Sequence, residues 1–141
     1  AELSDGTVIE VLGPSETPTL TDNLDDNPLV LRVSYGDVSF LLTGDLSAEG
    51  QASLLDDGVY PLATVLQLPQ HATARAFDER FITETQAQLY LLHNDVANRR
   101  GDPNPDTLDM LNKDIPLYRT DEDGAVQVTT DGNRLWVKRW P

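Results

Sequence analysis

From Leu29 to Asp45 the chain reads LVLRVSYGDVSFLLTGD, two runs rich in β-branched and aromatic residues on either side of Tyr35-Gly36-Asp37. Such residues fit a pleated strand, and glycine between two such runs supplies the positive φ of a tight turn, so the segment predicts a β-hairpin. A lone hairpin is marginal in water, so the rest of the chain must cover it. After Asp45 the pattern changes: SAEGQASLL places Ser47 as an N-cap, Glu49 in the first turn, and Ala52 with Leu55 at helical spacing. The run ATVLQLP then predicts a strand, Ala76 to Thr85 a helix with Phe77, Phe81 and Ile82 on one face, and AQLYLLH another strand. Pro105 and Asp106 open a helix through Leu108 and Leu111, and IPLYRT, GAVQVTT and NRLWVKRW close the chain as strands, with turns at DEDG and TDGN. Upstream, Thr7 to Gly13 predicts a short strand stopped by Pro14, and Ser15 to Pro28 a long polar loop; NDVANRRGDPNP, Asn94 to Pro105, is a second loop. Strands alternating with helices predict one α/β domain over residues 1–141, a mixed β-sheet with packed helices.

Charge narrows the partners. The 141 residues include 24 acids and 10 bases, a formal net charge of -14, so the field of the chain repels a polyanion and strong nucleic-acid binding by this chain alone is not expected. Cysteine is absent, which excludes disulfides and thiolate metal sites. No apolar run approaches the roughly 18 residues of a membrane span, and the first residues, AELSDGTVIEVLGP, lack a signal-peptide pattern. Because residue 1 is not methionine and a strand follows closely, the chain is expected to be a piece of a longer protein.

In alternating α/β sheets, ligand chemistry gathers where strands end. Asp45 follows SFLLTG, His71 follows VLQLPQ and His93 follows LYLL, so one carboxylate and two imidazoles are candidates for one sheet edge. Oxygen and imidazole donors suit zinc or manganese, ions that generate hydroxide for hydrolysis. The same residues have simpler roles open to them: an aspartate after a strand caps the helix that follows, and a histidine serves as a hydrogen-bonded surface group. His93 is read as structural or surface. Arg99 and Arg100, an adjacent basic pair in an acidic chain, could meet a phosphate or be solvated.

Several motifs in order carry a family resemblance: LVLRVSYGDVSFLLTGD, then PQHAT, GDPNP, YRTDEDG and TTDG. Together they resemble the metallo-β-lactamase-like domain of ComEC-type DNA-internalisation competence proteins, over nearly the whole chain. The resemblance implies the C-terminal half of an αββα sandwich. It makes Asp45 the counterpart of a metal-bridging aspartate and His71 the second histidine of a PHHGS motif, whose first histidine is here Gln70. Ala72 and Thr73 replace its glycine and serine, Asp102 stands at the histidine of a GHP-type segment, and Pro28 stands at a serine before the apolar strand.

The HxHxDH cluster of that family is absent from this sequence. The resemblance therefore implies a degenerate, non-catalytic domain of a DNA-uptake membrane protein, with Asp45, His71 and Asp102 as vestigial metal ligands, no catalytic residue, and Gln70, Thr73, Arg99 and Arg100 as possible substrate contacts. No cofactor is expected in this chain, and zinc or manganese only if a missing half supplies further ligands. The alternative is a metal-dependent phosphodiesterase or nuclease half-domain acting on DNA with that missing half. The implied partner is the remainder of the parent membrane protein on the outer side of the cytoplasmic membrane, or a second copy of this chain pairing through an exposed sheet face.

Overall fold

The computed structural model describes residues 1–14, 24–97 and 100–140. Among these residues eight strands and four helices follow in the order β1 (Val8–Gly13), β2 (Val30–Tyr35), β3 (Val38–Leu42), α1 (Ala48–Asp56), β4 (Val65–Gln67), α2 (Glu79–Glu84), β5 (Leu89–Leu92), α3 (Pro105–Leu108), β6 (Leu117–Arg119), α4 (Thr120–Asp123), β7 (Ala125–Thr130) and β8 (Leu135–Trp140). Strands β1 to β6 form one sheet in sequence order, and β7 and β8 form a separate antiparallel hairpin. The first three strands pair antiparallel and β3 to β6 pair parallel, so the expected mixed α/β sheet is present.

The expected hairpin is β2–β3. Tyr35 pairs with Val38 across Gly36 and Asp37, and Gly36 has φ +57. A Cβ on Gly36 would also strike the backbone of Gly132 in the β7–β8 turn, whose carbonyl accepts a hydrogen bond from Asp37 N at 2.6 Å. Glycine here serves both the turn and the close approach of a second layer. Helix α1 starts where Ser47 directs it: the hydroxyl accepts from Gly50 N at 3.0 Å. The cap is therefore Ser47 and not Asp45, which leaves Asp45 free of the capping role its position after the strand had suggested.

Each parallel pair needs a crossover, and the crossover elements α1, α2 and α3 supply cover for one sheet face. Leu41, Leu66, Tyr90 and Leu92 from that face join Leu46, Leu54, Phe77, Phe81 and Ile82 in one buried cluster. Side chains alternate along a strand, so the paired residues Leu31, Val33, Phe40, Leu42 and Leu91 point the other way. Among the described residues this second face is only partly covered. The β7–β8 hairpin touches it near Tyr118 and Val126 and at Gly36, while Leu42 and Val11 stay exposed.

Three elements differ from their sequence expectation. Helix α2 begins at Glu79, not Ala76, because Asp78 caps it through Phe81 N and because the backbone ahead of it is already engaged. The Gln51 amide, fully buried in α1, donates to Ala76 O at 2.7 Å and Leu46 O at 3.0 Å and accepts from Asp78 N at 2.9 Å. Helix α3 ends at Leu108, although Leu111 is still buried in the core. The DEDG turn is the end of a one-turn helix, α4, with the Asp123 carboxylate accepting from Arg119 N at 2.9 Å. Of the long loop expected over 15–28, residues 15–23 lie outside the described residues, and Leu24–Asp26 form a 3-10 turn.

Gln51 makes a direct stability test. Replacing Gln51→Leu keeps the volume but strands two carbonyls and one amide in the core, so urea denaturation should show a loss of about 3 kcal/mol. A loss below about 1 kcal/mol would mean that water replaces the amide.

Candidate functional site

Strand β4 delivers the chain into a tight turn at Pro69–Ala72. Gln70, His71 and Ala72 have φ of 48, 54 and 52, three consecutive left-handed residues of which none is glycine. Each costs about 1 to 2 kcal/mol, so neighbouring loops must hold the turn. Gln70 N donates to Gly44 O at 3.1 Å, Asn94 Nδ2 to His71 O at 3.4 Å, and Asn104 N to Ala72 O at 2.8 Å. Thr107 Oγ1 adds a bond to Thr73 O at 2.9 Å, and Ala72 is fully buried. The loops after β3 and β5 and the start of α3 thus converge on one turn. Ala72 holds a left-handed φ of 52 that a glycine would adopt without strain.

The turn presents His71. Its Nδ1 lies 2.6 Å from the carbonyl oxygen of His93. A carbonyl only accepts, so Nδ1 carries a proton and Nε2 is turned toward Asp45, whose Oδ1 is 3.4 Å away. The His93 ring lies beside it, with centroids 5.5 Å apart. His93 is exposed, as its surface reading implies, and its backbone orients the neighbouring imidazole.

The loop carrying His93 is itself fastened. Asn94 N donates to Thr120 Oγ1 at 2.8 Å and Thr120 Oγ1 donates to Asn94 O at 2.6 Å. Thr120 opens α4, which is braced by Arg119 on Asp121 at 2.6 Å and by Arg139 on Asp123 at 2.8 Å. Asp121 raises the pKa of the Arg119 guanidinium, while the Arg119 amide first, and then Arg139, hold the Asp123 carboxyl below its ordinary value. Asn94, Thr120, Asn104 and Thr107 are small polar residues to which the sequence reading gave no role, although Asn104 lies within GDPNP and Thr120 within YRTDEDG. Their signal was only their place, just past a strand or at a helix start.

Two adjoining clefts open around His71. One, about 310 Å³, is lined by His71, His93, Asn94, Asp95, Arg100 and Asp102 among others; the second, about 240 Å³, by Asp25, Asp45, Gln70, His71, Thr73 and Arg100. The structure therefore brings Asp45, Gln70, His71, Thr73 and Arg100 to one cleft, and Asp102 to its neighbour, with His71 and Arg100 lining both. Arg99 lies outside the described residues. Among the described residues the two clefts are lined by four aspartates, Asp25, Asp45, Asp95 and Asp102, and by Arg100.

Asp45 Oδ1 and His71 Nε2 are a donor pair of the type that zinc accepts, but such an ion takes four ligands. Among the described residues, no group of three or more His, Cys, Asp or Glu could hold a metal ion. The described side chains alone do not fit a closed zinc site.

Two measurements probe this geometry. Thr120→Val removes both bonds to Asn94 and should cost about 1 to 2 kcal/mol, with the His71 ring resonances shifting in NMR spectra; an unchanged ring spectrum would show that Thr120 does not position it. For Asp123, the folded carboxyl has the lowered pKa, so its stabilisation is complete above the ordinary value of 3.8 and is lost as pH falls through the depressed value. Asp123→Asn should accordingly flatten the fall in stability below about pH 4, and an acid limb of unchanged steepness would count against that assignment.

Comparison with known proteins gives two relatives. Over 120 residues, 83% of this chain and 15% of the relative, the chain is 31% identical to ComE operon protein 3 of Bacillus subtilis (strain 168). Over 125 residues, 87% of this chain and 18% of the relative, it is 31% identical to Competence protein ComA of Neisseria gonorrhoeae. The chain thus spans less than a fifth of the length of the curated relatives it matches. No family model matches, and no solved structure matches.

Proposed function

We infer that this chain is a segment of a competence protein with a role in DNA uptake, a family supported by 31% identity to two competence proteins over more than four-fifths of the chain. Within that family it serves as a degenerate metallo-β-lactamase-like domain that does not itself catalyse. The observation that carries this is the composition of the groove at the strained turn. Asp45 and His71 face each other at 3.4 Å, and Gln70, beside them on the same wall, offers a neutral amide where the resembled motif has a second imidazole. An amide is a poor zinc ligand, so the site keeps the position of a metal centre with a weakened ligand set.

One observation favours the alternative, a metal-dependent phosphodiesterase half-domain. A metal-ligating histidine usually donates its second ring N–H to a carbonyl or carboxylate, and His71 is held in that way by His93 O. The metal would then depend on ligands from elsewhere in the parent protein, with zinc or manganese polarising phosphate and supplying hydroxide.

The half-covered sheet face suits a role within a larger protein. Val11 and Leu42 are exposed there beside half-buried Leu31, Val33 and Phe40. A preceding segment of the parent protein covers this face in our reading; in isolation, a second copy of the chain does so. Among the described residues no helix is long and apolar enough to cross a membrane. The segment would belong to the part of a membrane protein outside the bilayer, on the outer side of the cytoplasmic membrane.

The test uses the parent protein. With Asp45→Ala or His71→Ala, a non-catalytic domain should leave transformation frequency unchanged, whereas loss of uptake at unchanged protein level would establish the catalytic alternative. The isolated chain, dialysed after exposure to zinc or manganese, should retain less than one ion per chain by elemental analysis; stoichiometric retention would overturn the vestigial reading.

A further inference from the structure

Strands β7 and β8 form a two-sided ribbon. One side holds Val126, Val128, Thr130, Leu135 and Val137, all partly buried. The other side is exposed throughout and carries Trp136, Lys138 and Trp140 in a row on β8, opposite Thr129, Gln127 and Ala125 on β7. The tryptophans are 49% and 43% exposed and are the two tryptophans of the chain.

Cations are interleaved with them. Lys138 Nζ lies 4.5 Å from the Trp140 ring centroid and Arg134 lies 5.5 Å from that of Trp136, contacts in cation–π range. In a chain of net charge -14, three of the ten basic residues fall within Asn133 to Trp140, and the outward row itself holds no carboxylate. The nearby acids Asp131 and Asp123 are matched by Arg134 at 3.3 Å and Arg139 at 2.8 Å.

We propose that the outward face of the β7–β8 hairpin is a stacking platform for single-stranded DNA. This rests on the DNA-uptake reading for the choice of nucleic acid, and on the ribbon for the mode of contact. Aromatic rings accept any base face, but only an unpaired base can offer one, so a duplex is excluded. Residues two apart on a strand lie roughly 7 Å apart on one face, so Trp136 and Trp140 sit about 13 Å apart with Lys138 between them to meet the intervening phosphate. The repulsion from the remaining carboxylates is screened beyond about 8 Å at physiological salt, which leaves the local contact to decide binding.

Because no other tryptophan is present, intrinsic fluorescence reports on this face alone. The chain is titrated with oligothymidylate, with a duplex of equal length, and with vesicles of phosphatidylglycerol and phosphatidylcholine. Oligothymidylate should quench the emission and the duplex should not. Trp136→Ala and Trp140→Ala should each weaken binding about ten-fold, in the range of one lost base stack, while Trp136→Phe and Trp140→Phe retain it, read by competition with a labelled oligonucleotide. Lys138→Gln should lower the slope of log affinity on log salt by about 0.7.

Absence of quenching, or alanine variants that bind like the unaltered chain, would overturn the proposal. A blue shift with vesicles and no response to oligothymidylate would overturn it in favour of a membrane-contact face. Failure of the DNA-uptake reading shows separately, as normal transformation in a strain lacking the parent protein.

Discussion

Three left-handed residues in a row, none of them glycine, are the conformation around which the site is arranged. A turn of this kind does not persist on local preference. It persists because Gly44, Asn94, Asn104 and Thr107 hydrogen-bond to it or to the residue after it, and because Ala72 is fully buried beneath it. Those partners come from three places, the loops after β3 and β5 and the start of α3, which supplies both Asn104 and Thr107, so the turn serves as the point at which these segments are registered to one another. The side-chain geometry of His71 is a by-product of that registration. The imidazole is fixed from behind by the His93 carbonyl and from beside by its own strained backbone, whatever occupies the groove in front.

What the sequence disclosed and what it hid divide by range. The β2–β3 hairpin, the Ser47 cap and the alternation of strand with helix were legible because each is decided within a few residues. The start of α2 was not, since it depends on a glutamine 25 positions earlier that occupies the backbone before Asp78. Asp45 looked like a cap from its place in the chain and is not one, because Ser47 stands two residues closer to the helix. The nearness of Asp45, His71 and His93 follows from parallel strands ending at the same edge, which the alternation of elements already implied, whereas Asp102 lies in the loop between β5 and α3 and was named only through the resemblance. The fastening of that edge by Asn94 and Thr120 could not be read, because a threonine after one strand and an asparagine after its neighbour carry no pattern until the register of β5 and β6 is known.

The charge of the chain is distributed in keeping with this layout. Acids crowd the groove, and exposed arginines and carboxylates pair along the outer edges, where such pairs add little stability. The bonds that matter are fewer and less exposed. Arg119 contacts two carboxylates while its own amide is accepted by a third, and this cluster fixes α4 and with it the threonine that holds the groove wall.

Strand β3 is the seam of the sheet, antiparallel to β2 on one edge and parallel to β4 on the other. The hairpin can close as soon as Leu42 has emerged from the ribosome, on a microsecond scale, but the partner for its second edge is Val65 to Gln67, beyond the whole of α1. At synthesis rates of about 5 to 20 residues per second, that edge waits roughly one to a few seconds for its neighbour, an apolar template open to any strand nearby. The nascent stretch between them carries Asp45, Glu49, Asp56 and Asp57 and no basic residue, so two emerging copies repel each other during the interval in which pairing with the wrong chain is easiest.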